Sequence, residues 1–91
     1  MFYSICYDIR DDHRRNQVVK ALKDYGERVQ LSVFEANLRP EELSRLKERL
    51  KSIIDRGEDN VRIYPLCAAC IGRIEIMGPG MVTQDPEIII I

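Results

Sequence analysis

The first nine residues, Met1 to Ile9, constrain this chain most, because they read as a strand that is apolar on both faces. In an extended backbone Phe2, Ser4, Cys6 and Asp8 share one face, and Tyr3, Ile5, Tyr7 and Ile9 share the other. Such a strand belongs in the middle of a sheet that is covered on both sides. It runs directly into a block of charge, Arg10-Asp11-Asp12-His13-Arg14-Arg15, where a helix begins. Asp11 or Asp12 can cap that helix by accepting bonds from its first free N–H groups. Asp8 therefore stands at the carboxyl end of a strand beside a helix N-terminus, the kind of edge at which ligands collect.

The helix is predicted to run to about Tyr25, with Val18, Leu22 and Tyr25 as its buried stripe and Gly26 at its left-handed end. Arg28 to Leu38 is predicted to be extended, Val29, Leu31 and Val33 alternating with Gln30, Ser32 and Phe34. Pro40, Glu41 and Glu42 suit the start of a second helix, and Leu43, Leu46, Leu50, Ile53 and Ile54 give it an apolar stripe, with Gly57 as its stop. Strands are expected over Val61–Leu66 and Ile71–Met77, separated by a turn at Cys67-Ala68-Ala69-Cys70, and Gly78-Pro79-Gly80 is a further turn. The closing isoleucines, Ile88 to Ile91, have high strand propensity.

This order implies one α+β domain, a ferredoxin-like β-α-β-β-α-β sandwich over residues 1–80, with a further C-terminal strand or tail over 81–91. The hairpin of that fold must fit within Arg28–Leu38, which leaves a very tight or bulged reversal or else one long bent strand. Two helices cover one face of a sheet only. A second copy of the chain, packed sheet to sheet, is the simplest cover for the other, and it would also shield the isoleucine tail.

The 91 residues suffice for a single core, and the net charge of −1 hides a gradient. Arg39 to Arg56 holds six basic and four acidic residues, whereas Gly57 onward holds two basic and five acidic. Contact with an anionic polymer must therefore use local patches in the first two-thirds of the chain, and it should be sensitive to salt. No leader pattern or membrane-spanning run is visible, and three cysteines do not make a disulfide scaffold, so the cytoplasm is the expected compartment and no membrane is an expected partner.

Asp8 has two readings: a solvated strand-end or capping aspartate, or a ligand for a hard cation such as Mg²⁺, which takes one or two carboxylates plus waters and phosphates. In a symmetric dimer with Asp8 near the axis, two carboxylates would face each other and a shared cation would neutralise them. Such a metal could polarise a phosphate and supply hydroxide for phosphodiester cleavage. Arg14 and Arg15 diverge by ~100° on their helix, so one can face the strand-end site while the other does not. A solvated pair bridging Asp11 or Asp12 is the alternative. Arg10, Lys20, Lys23 and Arg28 could extend a phosphate-tracking surface, or simply be solvated. His13, the sole histidine, could be a general acid/base near Asp8 but is expected to be polar surface. Cys67-x-x-Cys70 has no second pair with which to hold zinc, and a redox role would want it at a helix start after a strand. The expected turn between strands makes both thiols packing residues instead.

Taken together, Phe2-Tyr3-Ser4-Ile5-Cys6-Tyr7-Asp8-Ile9, Asp11-Asp12-His13-Arg14-Arg15-Asn16, Val29-Gln30-Leu31-Ser32-Val33-Phe34-Glu35 and Val61-Arg62-Ile63-Tyr64-Pro65-Leu66-Cys67 resemble, in order and spacing, the CRISPR-associated protein 2 family. The resemblance covers essentially the whole chain. It implies a ferredoxin-like homodimer in which the last strand of each chain pairs onto its partner. It also implies a catalytic and metal-binding Asp8, with Mg²⁺ or Mn²⁺ shared between the two copies. The implied activity is metal-dependent endonuclease action on RNA or duplex DNA. The implied biology is spacer acquisition, in which the dimer bridges copies of the CRISPR-associated integrase, protein 1 of the system. A non-catalytic, architectural DNA-binding dimer is the alternative. Arg14, Arg15, Ser32 and Phe34 match family positions that would contact nucleic acid, joined by Arg28 of the phosphate-tracking surface, although Phe34 read from its strand alone is core; the tail from about Asp85 to Ile91 would contact the integrase. Ser4, where a larger apolar residue is common, and the slightly acidic net charge are the departures.

Overall fold

The computed structural model describes residues 1–83. Its elements, in chain order, are β1 (Phe2–Asp8), α1 (Asp12–Lys23), β2 (Glu27–Gln30), β3 (Val33–Asn37), α2 (Pro40–Ile53), β4 (Asn60–Leu66) and the single-turn α3 (Ala68–Ile71). The sheet order is β2-β3-β1-β4, every pair antiparallel, so β1 is indeed central. This is the ferredoxin-like arrangement, with α1 and α2 on one face.

That face holds the core. Ile5, Tyr7, Phe34 and Ala36 of the sheet pack with Val18, Ala21 and Leu22 of α1 and Leu46 and Leu50 of α2. Leu43, Ile53 and Ile54, expected in the α2 stripe, flank this cluster, and so does Tyr25 of the α1 stripe. The Tyr7 and Phe34 rings lie 6.3 Å apart at 38°. Asp11 is the cap of α1, its carboxylate accepting from the Arg14 N–H at 2.8 Å. Glu42 folds back onto the Arg39 N–H at 2.9 Å to close the start of α2.

The reversal within Arg28–Leu38 is the tight, bulged one: Gln30 pairs with Val33 across a two-residue turn, and the register slips between Arg28 and Gln30. The slip takes Val29 out of the predicted alternation and the turn takes Leu31, leaving them 40% and 80% exposed. The Leu31 carbonyl accepts from the Tyr7 hydroxyl at 3.0 Å and from Arg28 Nη2 at 2.6 Å, so side chains hold the turn where the residue types alone would not. Gly26 is not a left-handed helix end, since among the described residues only Gly78 and Gly80 have positive φ. Gly26 is needed for space: a Cβ there would lie 2.3 Å from the Glu35 carbonyl oxygen. Gly57 lies beyond the α2 cap, Ile54, and donates to Asp55 Oδ1 at 2.8 Å in an Asx turn.

After β4 the chain departs from expectation. The predicted strand over Ile71–Met77 is absent; α3 occupies Ala68–Ile71 instead, and residues 72–83 form no regular element. This segment returns over the face without helices, where the Thr83 N–H and hydroxyl donate to Glu35 at 3.1 and 2.8 Å. Phe2, only 2% exposed although outside the helix-side cluster, lies at this covered end. Of the expected C-terminal strand over 81–91, residues 84–91 lie outside the described residues, as does the Asp85–Ile91 tail. Among the described residues no helix is long and apolar enough to cross a membrane.

Candidate metal and nucleic-acid site

Asp8 ends β1 opposite Asn60 of β4 and is exposed. The phase of β1 sends Ile5 and Tyr7 into the core, so Ser4, Cys6 and Asp8 must point to the other face. Register places Tyr64, Arg62 and Asn60 of β4 beside them in turn. Cys6, Asp8, Asn60, Arg62 and Tyr64 line a hollow of about 550 Å³. Arg62 is fixed within it, donating from Nε to Asn60 Oδ1 at 3.2 Å and from Nη1 to the Tyr64 hydroxyl at 3.3 Å.

A second hollow, of about 400 Å³, opens on the other side of Asp8 and is lined by Asp8, Arg15, Arg28, Leu31 and Ser32. Four of the residues singled out from the sequence therefore meet in one cleft. Local bonds orient its cations. Arg15 donates from Nη1 to the Ile9 carbonyl at 3.0 Å and pairs with Asp12 through Nη2. Arg28 lies along the hairpin turn through its bonds to Leu31. Two guanidinium groups, a hydroxyl and a carboxylate around an open hollow suit a phosphate ester beside a cation.

Arg14 and Phe34 are corrections. Phe34 is fully buried between sheet and helices, so it is core and does not reach nucleic acid. Arg14 turns away from Asp8 and closes a fork on Asp59, Nε to Oδ2 at 2.8 Å and Nη2 to Oδ1 at 3.2 Å, with Glu58 at 3.1 Å. The Asp59 side chain is fully buried and also accepts from the Asp55 N–H at 2.9 Å. Its bond to Arg14, then that to the Asp55 N–H, hold the Asp59 carboxyl below the usual aspartate range. The same bond holds the Arg14 guanidinium above its ordinary value. His13 is exposed on the first turn of α1 and lines neither hollow.

Sequence reasoning did not assign Asn60 and Arg62 to the site. Their signal was present: polar Asn60, Arg62 and Tyr64 alternate with Val61 and Ile63, which marks a second polar stripe on the Asp8 face. As a metal site the single chain is sparse, since among the described residues no three of His, Cys, Asp and Glu gather to hold an ion. An exposed carboxylate completed by waters and substrate phosphate oxygens is still a usual donor set for Mg²⁺, and Asp8 fits that role.

The sequence pattern of the family described as CRISPR associated protein Cas2 matches residues 1–74. A Chloroflexus aurantiacus protein named CRISPR-associated endoribonuclease Cas2 3 is 50% identical over 94% of this chain and 92% of its own length. A Thermus thermophilus protein named CRISPR-associated endonuclease Cas2 2 is 43% identical over 94% and 91% of the two chains. Among solved structures, a chain of a partial Cas6-RT-Cas1–Cas2 complex matches with a TM-score of 0.80 at 31% identity, covering 99% of this chain and 98% of its own.

Proposed function

Because the chain belongs to the CRISPR associated protein Cas2 family, we propose that it is an endonuclease of CRISPR immunity that cleaves RNA or duplex DNA at Asp8. The observation that carries this reading is the single cleft in which Asp8 meets Arg15, Arg28 and Ser32. Asp8 would hold Mg²⁺ or Mn²⁺, Arg15 and Arg28 would clamp the phosphodiester, and the Ser32 hydroxyl would bond a phosphate oxygen. When bound, the cation polarises the phosphate and makes hydroxide available at neutral pH.

Among the described residues a single carboxylate, Asp8, lines the cleft, which supports a dimeric site. The sheet face without helices is covered by the chain's own segment near Glu35 and left exposed at Asp8, Asn60 and Arg62. A second copy laid sheet to sheet over that bare end would bring two Asp8 carboxylates to one cation. An integrase of the Cas1 type is the proposed protein partner, as in the complex whose chain this one matches. A purely architectural role, with the dimer bridging integrase copies on DNA, is favoured by one observation, the sparse set of metal donors among the described residues.

The test is cleavage of end-labelled RNA and duplex DNA with Mg²⁺ against chelator, wild type beside Asp8→Asn. Activity that needs metal and disappears in the variant is expected. Cleavage that persists in Asp8→Asn overturns the assignment. Absence of cleavage by wild type, with salt-sensitive DNA binding kept by both proteins, selects the architectural role.

A further inference from the structure

Cys67 and Cys70 do not pack. Both are exposed, and they occupy the context that a redox pair requires, a helical turn entered directly from a strand. Cys67 is the cap residue of α3; its carbonyl accepts from the Ile71 N–H at 3.0 Å, and the Ala68 carbonyl accepts from Gly72 at 3.1 Å, so the turn is well formed. Two residues three apart on such a turn have Cα atoms ~5 Å apart. That lies within the roughly 4.4–6.8 Å that a disulfide tolerates, so closure needs little movement of the backbone. No third ligand completes a metal site: among the described residues no cluster of three His, Cys, Asp and Glu exists, and Cys6 lies further along the sheet, opposite Arg62.

We propose that Cys67 and Cys70 are a reversible dithiol–disulfide pair that exchanges with small disulfides of the glutathione class, Cys67 attacking and Cys70 resolving. The Cys67 thiolate attacks one sulfur of the small disulfide, whose S–S bond breaks to leave a mixed disulfide and one free thiolate. Cys70, having lost its proton, attacks the Cys67 sulfur and expels the second thiolate. The protein pair loses two electrons, the small disulfide gains them, and the two protons from the cysteines end on the two released thiols. The division of roles follows from the turn. The Cys70 backbone N–H and thiol both act on the Cys67 sulfur and lower its pKa, while the same contact raises that of Cys70. The thiolate is the nucleophile, so the lower member attacks first. The pair stands at the root of the 72–83 segment, whose Thr83 bonds Glu35 of β3, opposite Ser4 of β1, so the bridge would pin that segment where it leaves β4.

The full-length protein, reduced and freed of reductant, is to be equilibrated with mixtures of reduced and oxidised glutathione, alkylated and mapped by mass spectrometry. A 67–70 bridge with Cys6 still free is expected. Cys70→Ser should trap glutathione on Cys67 as a stable mixed disulfide, the Cys70 backbone N–H being kept, and Cys67→Ser should form no bridge and take up glutathione at Cys70 more slowly than Cys70→Ser does at Cys67. Both positions are exposed, and circular dichroism verifies the fold of each variant. The proposal is overturned if both thiols stay reduced in excess oxidised glutathione, if each carries glutathione without closing, or if bridges form to Cys6 or between chains. Zinc retained by the isolated protein, with alkylation blocked until it is chelated, overturns it as well.

Discussion

Two aspartate–arginine groupings flank the start of α1, and they differ in everything except residue type. At Asp59 the carboxylate is fully buried, gripped by the fork of Arg14 and by the Asp55 N–H. At Asp8 the carboxylate is exposed, and the nearby cations Arg15 and Arg28 are braced by carbonyls and by Asp12 instead of by Asp8 itself. The first grouping ties the loop after α2 to α1, with both Asp59 oxygens already accepting. The second keeps its carboxylate available for something that arrives. A satisfied buried pair is a fastening, and an unsatisfied exposed one is a place to bind.

The contrast is tested most severely by exchanging the two aspartates as targets. Asp59→Asn cannot accept the Arg14 fork and leaves the partly buried guanidinium with only the exposed Glu58 as its charged partner. Its melting temperature should fall by on the order of 10 °C, with cleavage kept well below the new midpoint. Asp8→Asn should do the reverse, losing cleavage while melting like the wild type. Calorimetry beside the cleavage assay reads both. Equal thermal losses in the two variants would abolish the distinction.

The sequence carried the fold further than it carried this distinction. Val18 and Leu22, and Leu46 and Leu50, announced their helices by spacing, and the shortness of Arg28–Leu38 left a bulged hairpin or one bent strand, of which the chain takes the hairpin. What it could not convey was contact at a distance. Arg14 and Asp59 are 45 residues apart, so nothing local separates Arg14 from Arg15. Gly26 looks like any helix-ending glycine until the Glu35 carbonyl is seen against it. Phe34 read from its strand alone is core, as it is found to be, and only the family resemblance put it at the nucleic acid. The Ile71, Ile74 and Ile76 run is β-branched, but the strand propensity it offers is not used: the segment turns into α3 and then crosses the sheet.

The adjacent arginines offer a finer version of the same comparison. Arg15→Ala removes a cation from the cleft, so it should weaken RNA or DNA binding and reduce the slope of log K against log salt by about one, with little thermal effect. Arg14→Ala should leave that slope unchanged and lower the melting temperature by on the order of 5 °C, because Asp59 loses its fork. Titrations at several salt concentrations, paired with thermal scans, separate the two residues. A reduced salt slope in Arg14→Ala would return it to the nucleic-acid surface.

The smallest effect concerns acid. The Asp59 pKa is lowered in the folded chain, first by Arg14 and then by the Asp55 N–H, so the native state binds its proton less readily than the unfolded chain does. Its stabilisation is therefore complete above the ordinary aspartate value, ~3.9, and is lost as pH falls through that value toward the lower folded one. Glu42, lowered mainly by the Arg39 N–H, contributes to the same acid limb, so the wild-type curve alone does not isolate Asp59. The difference between wild type and Asp59→Asn does. That gap in melting temperature should be constant from about pH 7 to pH 5 and should narrow steadily below pH ~4, because protonation removes from the wild type what the substitution has already removed from the variant. A gap that persists unchanged to pH ~2.5 would mean that the carboxylate charge is not what fastens Arg14, and the buried grouping would then owe its stability to packing.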